Sequence, residues 1–173
     1  MTIVTKMERP SRADSGFRTV ASDVLARHRE IPDAVAMREK DLGIWNEITW
    51  AELADLMTAA AHGLLALGVK PGDRVSIHSE DRPEWVILDL ATVAVRAITV
   101  GLYPSNPASE VEYLLSDSGS KVHLVEDQEQ ADKVMEVIDR LPGIQRIIHV
   151  EPRGFRGFGD DRRFLSWSEF LGL

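Results

Sequence analysis

The sequence predicts an α/β fold, a mostly parallel sheet flanked by helices on both faces. Three observations lead there. Apolar runs of strand length, "RVSIHS", "AITVGLY", "KVHLV" and "QRIIHV", alternate with stretches whose apolar residues recur at helical spacing. Helix-start pairs, a Ser, Thr or Asp followed three residues later by Glu or Gln, stand at Thr49/Glu52, Asp81/Glu84, Asp127/Gln130 and Ser166/Glu169. Short loops rich in Gly and Pro separate the runs, as crossover connections require.

Taken in order, Val20 to Arg29 reads as a helix, and "AVAMRE" and "GIWNEIT" as short strand candidates. The box at Thr49 opens a helix near Trp50, with Leu53, Leu56, Ala60, Leu64 and Leu67 on one side. It should stop at Gly68, a residue that tolerates the left-handed conformation beyond a helix end. "DRVSIHS" is then a strand, and "EDRP" a helix start with Asp81 as cap and Pro83 in the first turn. The helix from Trp85 to about Val95 is apolar nearly all round, so it should be sandwiched. "AITVGLY" follows as a strand, with Asn106 and Pro107 as cap and first residue of a helix to about Ser118. "KVHLV", a helix capped by Asp127 and ending at Pro142-Gly143, and "QRIIHV" complete the alternation. Ser166 begins one more helix, with about one turn before Leu173. Isolated turns are marginal, so the expected layout is a flexible segment 1–19 and an incomplete α/β subdomain 20–173 belonging to something longer. Such a piece should expose an unpaired sheet edge and self-associate.

Composition narrows the function. With 44% hydrophobic and 28% charged residues the chain has the make-up of a globular protein that forms a core. Its net charge of -8 repels nucleic acid and anionic membrane surfaces. The absence of cysteine excludes disulfides, thiolate metal sites and cysteine nucleophiles. "MTIVTKMERPSRADSG" lacks the apolar core of a signal peptide, and "WVILDLATVAV" is interrupted by Asp89 and too short to span a bilayer. The expected location is cytoplasmic, with no transmembrane segment.

Few residues stand out as chemistry. His28, His62, His78, His123 and His149 have no ligand spacing, and His78, His123 and His149, inside or at the ends of strands, read as hydrogen-bonded structural imidazoles. "GFRGFGDD" at 154–161 lacks the Gly-Lys-Ser/Thr of a phosphate loop and reads as a flexible surface loop. Glu126, Asp127 and Glu129 suit a helix N-terminus without a magnesium ion. Trp45, Trp50, Trp85 and Trp167 read as core or staple residues at element boundaries. The loop Tyr103-Pro104-Ser105 has better standing, because ligands of open α/β sheets gather beyond the carboxyl ends of strands. A structural turn is the equal alternative there. No catalytic residue and no metal ligand is assigned.

The motifs from "ITWAELADLM" through "LGVKPGDRVSIHSEDRPEW", "AITVGLYPSNP", "VEYLLSDSGSKVHLVED", in this order, resemble the N-terminal region of long-chain fatty acyl-CoA synthetases, members of the adenylate-forming, AMP-binding superfamily. The likeness covers roughly residues 20 to 173. It implies a ligase that joins a fatty acid to CoA through an acyl-adenylate, consuming ATP with Mg²⁺ and releasing AMP and pyrophosphate. It also implies that Tyr103, Ser105 and Lys133 lie near the path of CoA, and that the intact enzyme can sit at a membrane periphery. Asp81 stands where the family has asparagine, and Arg96 where it has glycine, at the end of the buried helix. The family's Ser/Thr/Gly-rich phosphate loop and catalytic lysine have no counterpart in the 173 residues, so the chain alone is expected to be inactive and to bind no cofactor. The alternatives are a piece of an acyl-AMP ligase and a free-standing α/β module for a flavin or nucleotide.

Overall fold

The computed structural model describes residues 18–158 and 161–173. Residues 1–17, most of the expected flexible segment, and positions 159 and 160 in the expected surface loop lie outside the described residues. Helix α1 (Val20–Glu30) is followed by strands β1 (Val35–Asp41) and β2 (Ile44–Thr49), which form an antiparallel hairpin. Then come α2 (Trp50–Ala66), β3 (Arg74–His78), α3 (Pro83–Ala94), β4 (Ile98–Leu102) and α4 (Ala108–Ser118). The chain continues through β5 (Val122–Val125), α5 (Gln128–Val137), β6 (Arg146–His149), β7 (Phe164–Ser166) and α6 (Trp167–Leu171).

Strands β3 to β7 form one parallel sheet in the order β4-β3-β5-β6-β7. Alternation along the strands sends Val75, Ile77, Leu124 and Ile148 into a core shared with α1, α2 and α3. The other face sends Leu102, Val125 and Ile147 against α4 and α5. Helices therefore cover both faces, as the sequence predicts, and β3, β5 and β6 are buried in near-continuous runs.

The caps at Thr49, Asp127 and Ser166 form as reciprocal boxes. Gly68 adopts φ 81 just past α2. Two expected caps do not form. Pro83 takes the first helical position of α3, which makes Arg82 the N-cap and moves Glu84 one place too early to reach back. Asp81 is exposed, and Glu84 bonds Arg82 instead. At α4 the cap is Pro107, and the Asn106 amide donates to the Glu110 carboxylate. Val86 and Val93 leave one side of α3 exposed, so that helix is not sandwiched all round. Trp45 is 61% exposed on the hairpin and is no core residue; Trp50, Trp85 and Trp167 do pack against the core.

The sequence reading misses β7, because its three residues run straight into the cap of α6. Nor does α6 wait for a later strand. It packs on α2 with Phe170 fully buried, over Gly63, where any side chain would collide with the ring and the Phe170 carbonyl. Arg96 has a left-handed backbone, φ 64, which accounts for the family's glycine at this position; its side chain is exposed and has room. The loop after β6 is anchored as well. Phe155 is buried and stacks on His149 with ring centroids 3.9 Å apart.

Candidate functional site

The strand order reverses direction between β3 and β5, and in open α/β sheets that crevice, at the carboxyl edge, is where ligands settle. Here it holds a guanidinium. Pro83 fixes the turn after β3 so that Arg82 lies across the strand ends. Its Nε donates to Glu84 at 2.7 Å, and its Nη1 and Nη2 reach Glu126 beyond β5 at 3.5 Å and Glu151 beyond β6 at 3.4 Å. The backbone N–H of Glu80 donates to the second oxygen of Glu126 at 2.7 Å. Burial opposes the charge of Arg82, but its hydrogen bond to Glu84 and the three surrounding carboxylates outweigh it and raise its pKa. One cation against three carboxylates leaves the crevice net negative, which disfavours a phosphate there.

Beside this network, a cavity of about 340 Å³ opens at the ends of β3 and β4, lined among others by Glu80, Asp81, Trp85 and Tyr103. A more open one of about 520 Å³ lies beyond β5 and β6, among Glu126, Asp127, Glu129, Glu151 and Arg153. Among the described residues no group of three or more His, Asp or Glu side chains is arranged to hold a metal ion.

The loop residues singled out from the sequence meet at the same edge. Tyr103 is 80% exposed and Ser105 is exposed. Lys133, on α5, reaches the loop: its ammonium donates to the Pro104 carbonyl and to Glu129, both at 2.7 Å. That hydrogen bond from Lys133 is the main reason the Glu129 carboxyl lies below its usual value. The structure thus joins Lys133 to the loop 103–105 as a clamp.

Under that loop lies a pair of histidines. His78 and His123 project from β3 and β5 with centroids 5.8 Å apart, both fully buried. His123 Nδ1 pairs with the Ser76 hydroxyl at 2.8 Å. Among the described residues both nitrogens of His78 and Nε2 of His123 find no hydrogen-bond partner, so the expectation of hydrogen-bonded imidazoles holds only in part. Burial, then the nearby Lys133, pushes His78 down to about 4; burial, then His78, pushes His123 down to about 3. Both rings are neutral at neutral pH. Sequence inspection finds neither this pair nor the Arg82 network, because the partners lie on different strands and only the parallel register brings them together.

The AMP-binding enzyme family matches residues 25–160, from within α1 to beyond β6. The chain belongs to this family. The long-chain-fatty-acid–CoA ligase FadD15 of Mycobacterium bovis is 38% identical over 135 residues, which are 78% of this chain and 22% of the relative. An uncharacterized protein of Mycobacterium tuberculosis is 34% identical over 128 residues, 73% of this chain and 67% of its own length. Among solved structures, acetoacetyl-CoA synthetase from Streptomyces lividans superposes with a TM-score of 0.78 at 27% identity, over 88% of this chain and 25% of that one. The anthranilate CoA ligase AuaEII does so with a TM-score of 0.74 at 25% identity, over 88% and 27% of the two chains. The likeness includes the parallel sheet, and the chain spans about a fifth of the FadD15 ligase it matches.

Proposed function

We propose that this AMP-binding family member is the N-terminal α/β unit of a long-chain fatty acid–CoA ligase, and that it is inactive alone. The complete enzyme converts fatty acid, ATP and CoA to acyl-CoA, AMP and pyrophosphate through an acyl-adenylate, with Mg²⁺. The observation that carries the reading is the 38% identity to a long-chain-fatty-acid–CoA ligase over most of the chain. The acid-rich carboxyl edge supports the inactivity. Adenylation needs positioned cations and N–H donors around phosphates. At this edge Arg82 and Lys133 are both already paired with carboxylates. The same crowding disfavours a free-standing flavin or nucleotide module.

In the complete enzyme this unit carries the loop Tyr103-Pro104-Ser105 beside the route of CoA, with Lys133 holding the loop in place. Tyr103→Ala, Ser105→Ala and Lys133→Ala should each raise the Michaelis constant for CoA while leaving adenylate formation unchanged. The ligase reading itself is tested by grafting residues 25–160 in place of the matching segment of the FadD15 ligase. A chimera that still forms long-chain acyl-CoA supports it. A chimera that folds yet has lost adenylation and thioester formation together counts against it.

A further inference from the structure

Natural sheets guard their edge strands with charge, proline, bulges or shortness. Edge strand β7 has only three residues. The opposite edge, β4, has five, "ITVGL", with no charge and no proline, and Ile98 is 53% exposed. Among the described residues no strand pairs with its outer side.

One hydrogen bond shows which peptide groups face outward. Ile98 N–H donates to the Asp73 carbonyl at 2.8 Å, on the β3 side. The N–H and C=O of one residue point the same way and the direction alternates along a strand. Val100 and Leu102 therefore also address β3, and the peptide groups of Thr99 and Gly101 face the free edge.

We infer that β4 pairs antiparallel with β4 of a second copy of this chain, about a two-fold axis at Val100. In that register Thr99 of each copy exchanges both main-chain hydrogen bonds with Gly101 of the other, and the two sheets become one. A shift one way would need the N–H of Ala97, which already donates to the Thr92 carbonyl at 2.9 Å. A shift the other way would need the Tyr103 carbonyl, which already accepts from Asn106 N–H at 2.9 Å.

The side chains fit the same register. Ile98 of the second copy falls opposite Leu102, at the mouth of a cavity of about 340 Å³ lined by Leu102, Tyr113 and Leu114. Arg96 of the second copy comes abreast of Pro104, beside the exposed Glu110. An exposed apolar residue and a cation at one end of β4, with a receiving cavity and a carboxylate at the other, make the edge self-complementary. A two-fold pairing satisfies both ends twice. The Arg96–Glu110 pairs also oppose the repulsion between two chains of net charge -8.

Sedimentation velocity on the full chain, from nanomolar to high micromolar, tests this directly. The expected result is a reversible dimer. Ile98→Lys, and Thr99→Pro, which removes an outward N–H and no main-chain donor toward β3, should weaken it by about tenfold or more. Arg96→Glu should weaken it, and Arg96→Glu combined with Glu110→Arg should restore it. Circular dichroism on each variant separates lost pairing from lost folding. Because the chain has no cysteine, Val100→Cys reports the register. Residues facing each other in a non-hydrogen-bonded antiparallel pair have Cα atoms about 4.5 Å apart, within disulfide reach, so mild oxidation should link two copies. A monomer at every concentration overturns the inference. So does a dimer that ignores Ile98→Lys and leaves Val100→Cys unlinked.

Discussion

Replacing Gly63 by alanine sets two effects of opposite sign against each other. Gly63 lies inside α2, where alanine is the better helix former by about 1 kcal/mol. On propensity alone the variant would be more stable. The packing of α6 predicts the reverse. A Cβ at position 63 would stand 2.5 Å from a ring carbon of Phe170 and 2.7 Å from its carbonyl oxygen. The ring can turn, but the carbonyl is main chain, so α6 must retreat by most of an ångström to reach ordinary contact. Burying the whole Phe170 ring contributes about 3–5 kcal/mol, and a gap of that size forfeits about a quarter to a half of such contacts. Adding the strain of overpacking, about 1–3 kcal/mol, and subtracting the propensity gain leaves a net loss of about 1–4.5 kcal/mol. Urea unfolding followed by far-ultraviolet circular dichroism measures it, with an unchanged slope showing that the unfolded state is not affected. A Gly63→Ala chain more stable than the parent would mean that α6 does not rest on this glycine, and would refute the docking of Phe170.

The buried histidines predict an acid-sensitive fold. Unfolded, each imidazole titrates near 6.5; folded, they titrate near 4 and 3, so below pH 6.5 the unfolded chain binds more protons and stability falls with pH. The loss should approach about 1.4 kcal/mol per pH unit for each ring, ending near pH 4 for His78 and near pH 3 for His123. Unfolding curves between pH 7 and pH 4 should show it, and His78→Leu should flatten the slope; an unchanged slope would remove His78 from the account. At the end of α3, Arg96→Gly should stabilise a dilute sample by about 1 kcal/mol, because a left-handed backbone is strained for arginine and free for glycine. A lower urea midpoint for that variant would contradict the strain.

The fold was legible wherever physics is local. Thr49 with Glu52 and Asp127 with Gln130 announce their helices because a cap needs only residues three apart. Apolar runs announce β3, β5 and β6 because strands buried on both faces have little choice of composition. Arg82 shows the limit. In the sequence it is a polar residue between Asp81 and Pro83, and only strand order brings it to Glu126 and Glu151, 44 and 69 residues away. Pro83 also defeats the local reading of the cap, since Asp81 and Glu84 have the right spacing but the helix starts too late for them. The loop 103–105 was legible as a strand-end loop, and Lys133 was placed beside it by family resemblance alone. That the lysine clamps the Pro104 carbonyl is a fact of packing between α5 and the end of β4.

As proposed above, this chain is a scaffold unit of a fatty acid–CoA ligase and cannot form an adenylate by itself. Fatty-acid-dependent exchange of pyrophosphate into ATP, measured on the purified 173-residue chain free of host synthetase, tests it most directly. The expected result is exchange no greater than in buffer, with and without magnesium. Exchange that rises with chain concentration and depends on added long-chain fatty acid would contradict it.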